Sequence, residues 1–224
     1  MTAPRAQVCL DLPEAWRPVS VAPDGDRPAQ RALLDAWIED AGATRTGGSH
    51  GDRTETPPTR RPEFRRLETQ LVRESRRASR DGIRFAAVLL DLGADGSGTV
   101  LLAASLTVSF RLLPGARDPL VAAQGTLAAL RAAPVTGYPT RRAELVGLGR
   151  DETRPAALVR DLTTGPDDPA TRLSVTQVLW LVPSSSQLAC VSVASPNVKL
   201  PAELADVALS VAASLHLERE VTRT

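Results

Sequence analysis

The stretch CVSVASPNVKLPAELADVALSVAASL, residues Cys190 to Leu215, joins a strand-like run to a helix-like run across a Ser195-Pro196-Asn197 break. In its first half Val191 and Val193 share one face, with Ser192 and Ala194 on the other, which is the alternation of a strand packed on a core. Pro196 has no N–H to give to a ladder, so pairing stops there. Pro201 and Glu203 suit the first turn of a helix. Leu204, Val207, Ala208, Val211 and Leu215 then recur every three or four residues as its apolar stripe. The small residues Ala205, Ala208, Ala212 and Ala213 let that helix lie close against a sheet. The junction reads as a closure unit of the fold rather than as a site.

Working backwards from this unit, the second half of the chain is mostly strand. Arg142 to Leu148, Arg154 to Leu162, Leu173 to Val182 and Leu188 to Ala194 are separated by GRDET, by TTGPDDPAT and by Pro183-Ser184-Ser185-Ser186. Strands joined by short turns run antiparallel. Ile83 to Leu92 and Thr99 to Leu112 flank a glycine-rich loop, GADGSG, and form a hairpin. Their runs AAVLL and VLLAA are apolar on both faces, so they read as central strands. Between the two sets, Pro119 to Ala133 is a helix with Leu120, Ala123, Leu127 and Leu130 inward.

The first third holds two strands, Gln7 to Leu12 and Val19 to Val21, joined by a turn from which Trp16 folds back onto the core. Asp26 caps a helix with Pro28 in its first turn and Leu33, Leu34, Trp37, Ile38 and Ala41 on one face. Residues 42–62 read GATRTGGSHGDRTETPPTRRP, too polar and glycine-rich to bury, and are expected to form a flexible insert. Glu63 to Arg80 returns to helix, with Phe64, Leu67, Leu71, Ser75 and Ala78 on one side and Asp81-Gly82 ending it. These elements predict one α+β domain over residues 1–224. It would be an antiparallel sheet of about six to eight strands with helices on both faces.

Composition narrows the functional classes. A net charge of +1 provides no global field towards nucleic acid or membrane, and three Phe with one Tyr leave few platforms for stacking bases. No run approaches the ~18 apolar residues of a membrane span. No charged segment followed by an apolar one opens the chain, so a cytoplasmic location is expected. Lys199 is the only lysine, Asn197 the only asparagine, and Ile38 and Ile83 the only isoleucines. That joint scarcity points to a GC-rich bacterial genome. Cys9 and Cys190 are too few for a disulfide framework and read as reduced thiols in apolar strands, unless those strands prove neighbours.

The order of elements has a counterpart. Val8-Cys9-Leu10-Asp11-Leu12-Pro13-Glu14-Ala15-Trp16 resembles the opening hairpin of Mog1/PsbP-like α/β/α sandwich proteins, including the actinobacterial LpqN-type group. Leu179-Trp180-Leu181-Val182-Pro183 and Ser192-Val193-Ala194-Ser195-Pro196 resemble the late hairpin that precedes their closing helix. The resemblance implies an antiparallel sheet between helices and a role in binding other proteins. It carries over no functional residue. LpqN-type members are often exported lipoproteins, and the opening of this chain departs from that pattern.

Chemical motifs are sparse. His50 lies in GGSHGD, where chain flexibility works against catalytic positioning. His216 falls at the expected end of the last helix, where its charged form would suit the helix dipole. No local His/Cys/Asp/Glu spacing has the pattern of a metal site. Asp167-Asp168 reads as solvated turn chemistry, and Asp95-Gly96-Ser97-Gly98 is too short for a calcium loop. Neither a nucleophile elbow, a phosphate loop nor a dinucleotide fingerprint is present. No catalytic, cofactor-binding or metal-binding residue is therefore assigned, and the chain is expected not to be an enzyme.

The one concentrated charge feature is Arg60, Arg61, Arg65, Arg66, Arg73, Arg76, Arg77 and Arg80, interleaved with Glu63, Glu68 and Glu74. Arg66, Arg73, Arg77 and Arg80 fall on one helical face. Intrahelical Glu–Arg pairs would neutralise much of it, while unpaired guanidinium planes would grip acidic partners or phosphates. The expected function is a non-catalytic protein–protein interaction module, an accessory or assembly factor. Its partner surface would be Arg66, Arg73, Arg76, Arg77 and Arg80. The alternatives are a small-ligand or anion-binding protein and a structural subunit of a larger assembly, with self-association open.

Overall fold

The computed structural model describes residues 6–45, 62–92, 100–132, 141–150, 152–164, 170–183 and 185–219. Its elements are β1 (Ala6–Cys9), β2 (Arg17–Val19), α1 (Arg27–Arg45), α2 (Pro62–Arg80), β3 (Ile83–Leu92), β4 (Val100–Leu112) and α3 (Pro119–Ala132). They continue with β5 (Arg142–Leu148), β6 (Arg154–Thr164), β7 (Arg172–Leu181), β8 (Gln187–Ser195), α4 (Pro201–Ser214) and β9 (His216–Arg219). Seven strands form an antiparallel sheet in the order β2-β3-β4-β8-β7-β6-β5, and β1 with β9 makes a separate ribbon. The expected α+β class and strand number are thus observed. The chain divides into two compact units, Trp16–Leu102 and Met1–Ala15 with Ala103–Thr224.

In the larger unit the sandwich follows from the pleat. Ala189, Val191, Val193 and Ser195 of β8 are buried while Cys190, Ser192 and Ala194 are half-buried. The register sets Val193 against Thr176 of β7 and Leu106 of β4, and Val191 against Val178 and Val108. All six are fully shielded from solvent, so this face is an apolar layer several strands wide. Helix α4 packs on β7 and β8 and brings Leu204, Ala205, Ala208, Val211 and Ala212 into the core. Three of those five are alanines, which let the helix axis approach the sheet closely. Arg154, at the start of β6, donates to the Ala213 carbonyl of α4.

On the opposite face α3 packs on β5, β6 and β7 through Ala122, Ala123 and Leu127. There Arg141 grips both Asp161 oxygens and donates to the Leu130 carbonyl at 2.9 Å. Helices therefore cover both faces, and the consecutive residues Ala156, Ala157, Leu158 and Val159 of β6 are all buried. One expectation changes here. Leu120 of α3 is 44% exposed, and Ala122 takes the inward place beside Ala123. Leu145 is also exposed, because β5 is the edge strand of the sheet.

In the smaller unit, α1 packs on α2 and β2, and α2 packs on β3. Leu34, Leu67, Leu71, Val88 and Leu90 form its core, with Val19, Leu33 and Trp37 against them. Asp26 caps α1 as expected, its Oδ1 accepting from Ala29 N–H. The turn before it is tied to α2. Ser75 Oγ donates to Ser20 O at 2.7 Å and accepts from Ala22 N–H at 3.1 Å, while Arg76 Nε donates to Asp24 O. Gly25 adopts φ +84°, and a Cβ there would meet Val72 O at 2.6 Å.

Helix α1 continues to Arg45, so residues 42–45, expected in a flexible insert, are helical. Ala41, Ala43 and Arg45 are good helix formers, and they carry the helix one turn further despite Gly42 and Thr44. At the other end of the expected insert Pro62 opens α2, and the residues between, 46–61, lie outside the described residues.

The largest correction concerns the β1–β9 ribbon. β1 does not form a hairpin with β2. It pairs antiparallel with β9, while β2 pairs with β3. Helix α4 stops at Ser214, and Leu215 leaves in an extended conformation. His216 is thus a strand residue opposite Cys9, two residues beyond the end of α4, and its ring still meets the helix-end carbonyl of Ser214.

Candidate functional site

The apolar stripe of α2 is where the sequence placed it: Phe64, Leu67, Leu71, Ser75 and Ala78 are all buried. The helix periodicity then turns Arg65, Arg66, Arg73, Arg76, Arg77 and Arg80 outward, and all six are exposed. Their pairing is uneven. Arg73 lies 3.5 Å from Glu74, and Arg77 lies 3.8 Å from Asp81. Glu68, expected to neutralise its own helix, instead takes Arg27 of α1 at 2.6 Å. Arg76 is held by the Asp24 carbonyl. Arg60 and Arg61 lie outside the described residues.

A hollow of about 340 Å³ lies beside the start of α3, lined by Ala116, Arg117, Pro119, Leu181 to Pro183, Ser185 and Ser186. Its hydroxyl chemistry is partly committed. Ser185 Oγ donates to Val182 O and accepts from Gln187 N–H, closing the β7–β8 turn. Arg117 is exposed.

A third grouping was not legible from local spacing. Cys9 of β1 faces His216 of β9 across the ribbon, and Gln7 faces Glu218. Residues two apart on a strand share a face, as do directly opposed residues. Cys9, His216 and Glu218 therefore meet, with their Sγ, imidazole nitrogen and carboxylate oxygen all within 4.8 Å of one another. Nδ1 of His216 lies 3.1 Å from Ser214 O, and Nε2 lies 3.5 Å from Glu218 Oε1. The Ser214 carbonyl and, after it, Glu218 hold the imidazole pKa above its ordinary value. Partial burial, reinforced by Glu218, raises that of the Cys9 thiol. The cluster is on an open ribbon, with the His216 and Glu218 side chains 61% and 62% exposed.

The other sequence candidates are dispersed. Cys190 is in β8, which pairs with β4 and β7, so it is no neighbour of Cys9, and both thiols are free. Burial pushes the Cys190 thiol up to about 11. His50, Asp95, Asp167 and Asp168 lie outside the described residues.

No protein-family model matches the chain, and no curated protein does. Among solved structures, the chain is similar to a protein of Bacteroides thetaiotaomicron VPI-5482, with 12% identity, 95% of this chain, 46% of that one and a TM-score of 0.40. It thus spans less than half the length of that protein. It is also similar to LpqN of Mycobacterium tuberculosis, described as involved in cell envelope biogenesis, with 12% identity, 96% of this chain, 86% of that one and a TM-score of 0.44.

Proposed function

We propose that this chain is a non-catalytic protein–protein interaction module, an accessory or assembly factor of the bacterial cytoplasm, whose α2 arginines dock an acidic protein surface. The supporting observation is the outward face of α2, where six guanidiniums are exposed on a helix whose other side is committed to its own core. Exposed ion pairs such as Arg73–Glu74 are weak, roughly 0–1 kcal/mol, so an incoming carboxylate surface exchanges them at little cost. Arginine is suited to this because its planar fork binds carboxylates in pairs.

The test is affinity capture from the source bacterium with wild-type protein and with Arg66→Glu/Arg73→Glu/Arg80→Glu. Arg76 is spared because it holds the Asp24 turn. A partner captured by wild type, released by raised salt and lost from the variant at unchanged circular dichroism supports the proposal. An identical set of captured proteins removes this surface.

A further inference from the structure

We propose that Cys9, His216 and Glu218 form a binding site for a divalent cation of the zinc class, independent of the arginine face. The ribbon brings one thiol, one imidazole and one carboxylate to the same side, with ligand atoms within 4.8 Å of one another. Around zinc, bonds of about 2.0–2.3 Å at tetrahedral angles place ligand atoms ~3.3–3.8 Å apart. The Nε2–Oε1 separation is already 3.5 Å, and small side-chain rotations close the remaining distances.

The imidazole is oriented for this role. Its Nδ1 is within hydrogen-bonding distance of the Ser214 carbonyl, which favours the tautomer with Nδ1–H donating and the Nε2 lone pair free. Metal-ligating histidines are commonly held in this way. Ser214 is itself fixed, since its Oγ donates to Val211 O and accepts from Asp11 N–H. Leu215, 5% exposed, anchors the start of β9. A thiolate and a carboxylate together balance the 2+ charge of the ion. Three protein ligands on an open surface leave the fourth position for water or for a donor atom from another molecule. The mixed sulfur, nitrogen and oxygen set favours zinc, with cobalt(II) as its spectroscopic substitute, over magnesium or calcium, which take oxygen ligands.

The experiment uses the untagged full chain carrying Cys190→Ser, so that Cys9 is the only thiol. Titration with cobalt(II) is expected to saturate at one equivalent, with a thiolate-to-cobalt charge-transfer band and the visible bands of a tetrahedral ion. Zinc should displace the cobalt and slow alkylation of Cys9 by about tenfold or more, because the coordinated thiolate is no longer a free nucleophile. His216→Ala and Glu218→Gln should each weaken zinc binding by about tenfold or more, and His50→Ala should leave it unchanged. Circular dichroism of each variant checks the fold, and His216 and Glu218, both exposed, are expected to tolerate the changes. A six-coordinate cobalt spectrum without the charge-transfer band would overturn the proposal. So would zinc binding that survives Cys9→Ser, or no protection of Cys9.

Discussion

Thr176 offers a sharp test of how the larger unit is packed. It is fully buried in β7, opposite Val193 on one side and Arg160 on the other, and its hydroxyl has no hydrogen-bond partner among the described residues. An unsatisfied buried hydroxyl costs about 1–3 kcal/mol. Thr176→Val keeps the branched shape suited to a strand and removes the orphaned group, so it is expected to stabilise by about 1 kcal/mol, the low end of that cost. For a chain of this size that is a rise in Tm of about 2–4 °C. Thr176→Ser keeps the hydroxyl and deletes a buried methyl, and should lower Tm by a similar amount. Thermal unfolding followed by circular dichroism measures both. A lower Tm for Thr176→Val would show that the hydroxyl is satisfied, and would refute the reasoning.

Ser195→Ala should cost about 1–3 kcal/mol, read as a lower urea midpoint, because its buried Oγ donates to Ala103 O at 2.6 Å and accepts from Asn197 N–H at 3.0 Å. An unchanged midpoint would mean that this junction does not depend on the serine. Gly25→Ala should lose about 2–4 kcal/mol in chemical unfolding, since it combines a left-handed backbone with a clash against Val72 O; wild-type stability would contradict the turn geometry. Burial, partly opposed by Arg111, raises the Cys190 thiol from 9.0 to about 11, so the folded state holds its proton over that interval while the unfolded chain releases it. Stability should therefore fall as pH rises from about 9 to 11, by roughly 2 kcal/mol, and Cys190→Ala should flatten that part of the profile of urea midpoint against pH.

Elements governed by local periodicity were legible. The stripe Phe64, Leu67, Leu71, Ser75 and Ala78 is buried residue for residue, and Ile83–Leu92 and Arg142–Leu148 have the expected bounds. The exposed arginines of α2 followed from the same helical period. The Cys9–His216–Glu218 cluster did not, because it depends on a strand pairing between distant parts of the chain, which no local pattern encodes. His216 follows a strong helical stripe whose period runs on past Ser214, where the helix itself stops. Sequence alone ties Glu68 to its own helix, because it shows only the (i, i+4) neighbours, while the partner Arg27 comes from another element.

The β1–β9 ribbon also sets an order of events during synthesis. Asp11 and Ser214, hydrogen-bonded at its base, are 203 positions apart, so β1 leaves the ribosome long before the strand it pairs with. Until translation passes His216, the edge of Ala6–Cys9 has no mate. Interrupted products thus carry a strand with both edges bare, which chaperones and proteases can recognise, whereas in finished ones β9 pairs one of those edges.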